Sequence, residues 1–185
     1  MPARDAAGTV HAAAVSILRQ TERDLALVAV DDGSKDATAG ILLRLAERDR
    51  RVRVVRGEGE GIAAALNRGL VRCDADLVAR MDADDVAHPE RLATQVAALL
   101  ADPDLAAVGS KVSLFPQREV QDGMRRYVAW LNGLTSPALV RRDLFVEAPL
   151  VHPAALVRRD ALERAGGWRA GDFPEDYDLW LRLSA

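Results

Sequence analysis

Asp82, Asp84 and Asp85 crowd three carboxylates into the four-residue run Asp82-Ala83-Asp84-Asp85. The run follows Leu77–Met81, an apolar stretch that reads as a strand. Side chains alternate along a strand, so Asp82 and Asp84 share a face wherever the extended geometry persists. Carboxylates that converge on one point repel each other unless a cation lies between them. Mg²⁺ and Mn²⁺ are hard ions that take such oxygen ligands and share their shell with phosphates. The run therefore predicts a site for Mn²⁺ or Mg²⁺. The competing reading is a solvated acidic turn whose charges suit the dipole of the helix starting near Pro89.

A second acidic pair lies in Asp31-Asp32-Gly33-Ser34, again after an apolar run, Leu25–Val30. A carboxylate at a strand end can accept hydrogen bonds from a nucleobase N–H or from ribose hydroxyls. Ser34 or Asp36 can meanwhile cap a helix beginning near Ala37. Gly57, Gly59 and Gly61 interrupt the pattern after a short strand. They lack the Gly-Lys-Ser/Thr ending of a phosphate loop, which leaves close approach to a flat base or ribose, or a plain flexible loop. Glu175 and Asp176 precede an apolar-periodic helix. One of them can serve as a general base toward a hydroxyl nucleophile, or both can cap the helix. His152, before Pro153, reads as structural by itself, and Cys73 reads as a small buried hydrophobe.

These groups must be placed by an alternation of elements. Thr9 is expected to cap a helix over Val10–Gln20. A strand over Leu25–Val30, continuously apolar, is expected to be buried on both faces. A helix over Ala37–Asp49, a strand over Val52–Val55, a helix over Ile62–Cys73 and the strand Leu77–Met81 follow. Pro89 suits the first turn of a helix running to about Leu100, and Ala106–Leu114 reads as a strand. The order predicts an α/β fold with a doubly wound, mainly parallel sheet flanked by helices. Ligands bind beyond the carboxyl ends of such strands, and both acidic clusters fall at that edge. Residues 115–150 are irregular, with a helical excursion around Met124–Leu131. Ala154–Val157 is a brief strand, Asp160–Ala165 a helix stopped by Gly166-Gly167, and Glu175–Leu183 the last helix.

Composition narrows the partners. Lys plus Arg number 25 against 28 Asp plus Glu among 185 residues, a net charge of −3, so no basic surface for nucleic acid is expected. No apolar stretch approaches the ~20 residues of a spanning helix. A cytoplasmic setting is expected, with peripheral membrane association compatible. The single cysteine excludes an internal disulfide and any multi-cysteine zinc site.

Taken together and in order, Asp31-Asp32-Gly33-Ser34, Asp82-Ala83-Asp84-Asp85, His152-Pro153, Arg158-Arg159 and Glu175-Asp176-Tyr177-Asp178-Leu179-Trp180 resemble family 2 glycosyltransferases. The resemblance covers essentially the whole chain. It implies a GT-A fold of Rossmann-like nucleotide-diphospho-sugar transferases and an inverting, hexosyltransferase-type reaction. The expected donor is a nucleotide-diphosphate sugar, UDP-sugar favoured, and the acceptor a saccharide or lipid-linked hydroxyl in polysaccharide or glycoconjugate synthesis. By the same resemblance, Pro2-Ala3-Arg4 lies just after the family's first strand, near the nucleotide, so that Pro2, Arg4 and Gly61 line the donor site. Asp32 reads the base with Asp31 beside it. Asp82 serves ribose or diphosphate and joins Asp84, the metal ligand. Asp176 is the catalytic base, and Glu175 supports it or contacts the sugar.

The chain is expected to be one domain over residues 1–185, cut short at both ends and lacking the first strand. Residues 1–114 would form the nucleotide-sugar half and 115–185 the acceptor half. The alternative is a nucleotide-sugar-binding or nucleotidyltransferase-like domain without glycosyl transfer.

Overall fold

The computed structural model describes residues 1–184. Six strands are β1 (Pro2–Ala3), β2 (Leu27–Asp31), β3 (Val52–Arg56), β4 (Leu77–Ala79), β5 (Ala107–Gly109) and β6 (Ala155–Arg158). The helices are α1 (Val10–Leu18), α2 (Thr38–Arg48), α3 (Ile62–Leu70), α4 (Arg91–Ala101), α5 (Asp122–Gly133), α6 (Pro137–Asp143), α7 (Arg159–Arg164) and α8 (Glu175–Ser184).

β1, β2 and β3 form a parallel sheet with β2 in the centre. β2 is buried along its whole length, as its unbroken apolar run predicts. Helices pack on both of its faces. Ala13, Ala14, Ile17 and Leu45 meet Leu27 and Val52 on one side, and Ala65 of α3 meets Val28 and Val30 on the other. The α/β class and the parallel sheet flanked by helices are thus as expected. The second sheet adds a different geometry: β6 lies between β4 and β5 and runs antiparallel to both. Strand–helix alternation does not announce this, because β6 returns only after the irregular residues 110–154.

The first strand, expected to be lacking, is present beside β2. Pro2 and Ala3 pair with Val30 and Asp31. The Met1 carbonyl accepts from Val30 N–H at 2.9 Å, and the Ala3 carbonyl accepts from Asp32 N–H at 2.9 Å. Pro2-Ala3 is itself the strand, not the segment after one. Proline is tolerated there because the first residue of a strand need not donate to the ladder.

Several boundaries also move. β5 covers three residues of the expected Ala106–Leu114. α4 starts at Arg91, so Pro89 precedes its N-cap residue Glu90 and does not lie in the first turn. Thr9 precedes α1 but does not cap it with its side chain; its hydroxyl turns back to the Ala6 carbonyl at 3.4 Å. α2 begins at Thr38 with Ala37 as its N-cap residue, and Asp36, one residue earlier than a cap, accepts from Thr38 N–H at 2.9 Å. Gly166 and Gly167, both at positive φ, stop α7. In the irregular region Asp143 pins α6 to α5, accepting from the Trp130 indole at 2.9 Å. The Arg142 guanidinium and that indole hold the Asp143 carboxyl down at about 2.

Candidate functional site

A cleft of about 530 Å³ opens at the carboxyl ends of the parallel strands, and Pro2, Arg4, Asp32, Gly61, Asp82 and Asp84 line it. Six of the residues singled out in the sequence therefore share one surface. Asp31, Glu175 and Asp176 are not part of its lining.

The expected strand Leu77–Met81 stops at Ala79, and Arg80 and Met81 are both buried. Ala83-Asp84 lies in a turn, so a turn rather than strand alternation carries the acidic run. Met81 and Ala83 are buried, whereas Asp82 is half-buried and Asp84 exposed. Met81 packs among Ala13, Ile17 and Ala87, and Ala83 packs among Ala3, Val10 and Leu42. These two apolar anchors turn Asp82 and Asp84 outward together. Ser16 of α1 and Gln20 just after it hold the segment that follows. Ser16 accepts from Ala87 N–H at 3.0 Å. Gln20, fully buried, donates to the His88 carbonyl at 2.7 Å and accepts from Leu92 N–H at 2.9 Å. Arg91 closes the other side, donating to the carbonyls of Arg80 at 2.7 Å and Ala155 at 3.2 Å. Burial brings that guanidinium down to about 10.

Oxygens of Asp82, Asp84 and Asp85 lie within 4.8 Å of one another. Burial, then the charges of Asp82 and Asp84, push the Asp85 carboxyl above its ordinary range. A divalent cation relieves that repulsion, and an all-carboxylate donor set suits Mn²⁺ or Mg²⁺. The residues present therefore fit the ion. Arg80 is the neighbour that sequence reading missed. It is 5% exposed, and its guanidinium contacts the Asp82 carboxylate without hydrogen-bond alignment. Its Nε and Nη1 are buried without hydrogen-bond partners among the described residues. Arg80 thus offsets one of the three charges, leaving Asp84 and Asp85 as the less compensated pair.

Asp32 is more occupied than a free base-reading carboxylate. It accepts from the N–H groups of Gly59 at 3.0 Å, Glu60 at 3.3 Å and Gly61 at 3.0 Å. The glycines are explained by that embrace. A Cβ on Gly57 would stand 2.6 Å from Asp32 Oδ1, and Gly59 and Gly61 take positive φ. Asp31 turns to its own loop, accepting from Ser34 N–H at 3.3 Å. Asp32→Asn keeps the shape but sets an amide N–H₂ against one of these donors. Since hydrogen bonds to charged groups contribute about 1.5–3 kcal/mol, the variant should lose ~2 kcal/mol. In a chain of this size the unfolding temperature then falls by roughly 4–8 °C. A thermal melt checks it, and an unshifted curve contradicts the loop-holding role.

Glu175 and Asp176 open α8, which Leu179 and Trp180 anchor with near-complete burial. The Trp180 indole donates to the Leu150 carbonyl at 3.1 Å, and the Tyr177 hydroxyl donates to the Leu144 carbonyl at 2.7 Å. Asp176 Oδ1 accepts from Tyr177 N–H at 2.7 Å, and among the described residues Oδ2 has no donor. Capping and a second free oxygen coexist. Asp176 also acts on α5: burial, then the charges of Glu147 and Asp176, raise the Tyr127 phenol. His152 has side-chain partners on both sides, Trp168 and Glu175. Arg158 and Arg159 are structural: Arg158 donates to the Leu105 carbonyl at 2.8 Å, and Arg159 to Glu163 at 2.7 Å. Cys73 is only half-buried, and desolvation raises its thiol.

The chain is similar to known proteins in sequence and fold. The family described as Glycosyl transferase family 2 matches residues 1–166. The O-antigen biosynthesis glycosyltransferase WbnJ of Escherichia coli is 30% identical over 171 residues, covering 91% of this chain and 63% of that protein. The solved mannosyltransferase PcManGT of Pyrobaculum calidifontis, in complex with GDP-Man and Mn²⁺, is 25% identical with a TM-score of 0.75. That match covers 98% of this chain and 50% of the mannosyltransferase. The S. aureus TarS 1–349 structure has a TM-score of 0.76 at 18% identity, covering 98% and 53% of the two chains. The chain spans less than two thirds of the length of the curated relatives it matches first.

Proposed function

The chain belongs to glycosyl transferase family 2, and on that premise we propose a metal-dependent, inverting transfer of a hexose from a nucleotide-diphosphate sugar to an acceptor hydroxyl. The observation that carries the proposal is the convergence of Asp82, Asp84 and Asp85 within 4.8 Å, two of them facing the cleft they share with Asp32 and Gly61. The complex of the mannosyltransferase with GDP-Man and Mn²⁺ supports such a donor and ion here. The named role of WbnJ supports polysaccharide or glycoconjugate synthesis. The half-buried free thiol of Cys73 suits a cytoplasmic setting. Among the described residues no helix is long and apolar enough to cross a membrane.

Asp84, with Asp82, would hold Mn²⁺ or Mg²⁺, which when bound supplies positive charge to the diphosphate leaving group. Asp32 keeps the Gly57–Gly61 loop folded at the rim of the cleft, with Pro2, Arg4 and Gly61 against the nucleoside. Asp31 fixes the turn behind them. Asp176 takes the acceptor proton on its free oxygen as the hydroxyl attacks the anomeric carbon opposite the leaving group. Direct displacement inverts the anomeric configuration without a covalent enzyme intermediate. Glu175 stands beside the base and fixes the approach to the sugar. Residues 1–114 thus serve the donor and 115–184 the acceptor and base.

Product analysis tests the proposal. Free nucleoside diphosphate together with glycosylated acceptor is expected. Pyrophosphate release indicates a nucleotidyltransferase instead, and binding without turnover a nucleotide-sugar-binding domain.

A further inference from the structure

A chain of polar contacts runs from the donor side of the molecule to Glu175. It starts at Asn67 on α3, the helix that follows the loop held by Asp32. Asn67 Nδ2 donates to the Trp168 carbonyl at 2.6 Å, and Asn67 Oδ1 accepts from Trp168 N–H at 3.0 Å. One side chain therefore clamps both backbone groups of a residue 101 positions away. The clamp requires glycine before the tryptophan: Gly167 has φ +68°, and a Cβ there would lie 2.5 Å from Asn67 Oδ1.

Trp168 is buried, and its indole N–H meets His152 Nε2 at 2.8 Å. An indole nitrogen only donates, so His152 Nε2 must present its lone pair, and the neutral ring carries its proton on Nδ1. Nδ1 stands 3.6 Å from Glu175 Oε1. That exceeds a direct hydrogen bond but sets the Nδ1 proton and the carboxylate side by side. Trp180 lies edge-on to the imidazole with centroids 5.9 Å apart and limits its rotation. A histidine that merely filled space would need neither partner. The neighbouring imidazole also holds the Glu175 carboxyl below its ordinary range, against the opposing effect of burial.

We infer that His152 is a positioning residue for the acceptor side of the site: Trp168 locks its Nδ1–H tautomer, and that N–H orients the Glu175 carboxylate at the head of α8. The inference rests on the reading of Glu175 as part of the base pair with Asp176. Orientation of a group that contacts the reacting partners governs turnover more than donor binding, so kcat carries the signature.

Two NMR readouts and one kinetic readout test it. In ¹⁵N-labelled protein at about pH 8, above the ordinary imidazole range, a long-range ¹H–¹⁵N spectrum should show His152 protonated at Nδ1 and bare at Nε2. His152→Leu should move the ¹³C-detected titration midpoint of the Glu175 carboxyl upward. His152→Asn, whose amide N–H stands where Nδ1 stood, should restore much of that change. In transfer assays, His152→Leu should lower kcat by on the order of 10- to 100-fold with the donor KM unchanged. The melting temperature should fall because the buried Trp168 N–H loses its acceptor, and His152→Asn should recover part of the kcat loss. Trp168→Phe, which keeps the ring bulk, should lose the tautomer preference. A proton on Nε2 in the wild type, or a Glu175 midpoint identical in all variants, overturns the inference. A wild-type chain without transferase activity sinks the proposed function, and the two NMR readouts then decide the positioning role alone.

Discussion

Asp176→Asn should abolish glycosyl transfer while nucleotide binding stays nearly intact. The substitution is conservative in shape, and the Asn side-chain oxygen can still accept from Tyr177 N–H, as Asp176 Oδ1 does at 2.7 Å. Helix α8 keeps its anchors, because Leu179 and Trp180 are untouched and buried. What disappears is the free basic oxygen. General-base assistance contributes on the order of 10²–10⁴ in rate, and an amide supplies none. Asp176 is also outside the lining of the cleft that holds the proposed donor residues, so donor affinity should not follow activity downward. Steady-state product formation beside calorimetric nucleotide affinity checks both halves. A variant that retains substantial transfer removes Asp176 from the base role.

Asp84→Asn should do the opposite, striking donor binding and transfer together. Asp84 is the exposed member of the acidic run, and Arg80 engages Asp82 instead. Removing Asp84 takes away the carboxylate least compensated by the protein. Even changes behind a metal ligand weaken affinity by roughly 10- to 100-fold, so loss of a ligand should cost at least that in the response to Mn²⁺. A titration of activity and melting temperature against Mn²⁺ reads the effect. Asp85→Asn should be milder, because Asp85 lies outside the cleft lining. A wild-type Mn²⁺ response in Asp84→Asn contradicts the ligand assignment.

What the sequence revealed, and what it concealed, divides by range along the chain. The outward pairing of Asp82 and Asp84 was expected from strand alternation, but the strand ends at Ala79 and the pairing comes from a turn in which Met81 and Ala83 are taken into the core. β2 was legible because a fully apolar run has few other uses. Arg80 was not legible: one arginine in a chain rich in them carries no sign that it will be 5% exposed beside Asp82. Arg80 is tied to α4 and β6, and β6 reaches β4 from 77 positions along the chain (Leu156 against Ala79, register partners). The same holds for Trp168, whose partners Asn67 and His152 come from different elements. His152-Pro153 read as structural because a lone histidine gives no hint of two side-chain partners. Pro2-Ala3 escaped notice as a strand because two residues carry no periodicity, and only pairing with Val30 and Asp31 defines them.

The central claim is that the acidic run and the loop around Asp32 form one donor site. Calorimetric titration of UDP, GDP and dTDP into the wild-type chain, with and without Mn²⁺, tests it most directly. Binding of at least one of these nucleotides, strongly dependent on the ion and lost in Asp84→Asn, is the expected result. Binding that is equal without the ion, or no heat with any of the three, would contradict it.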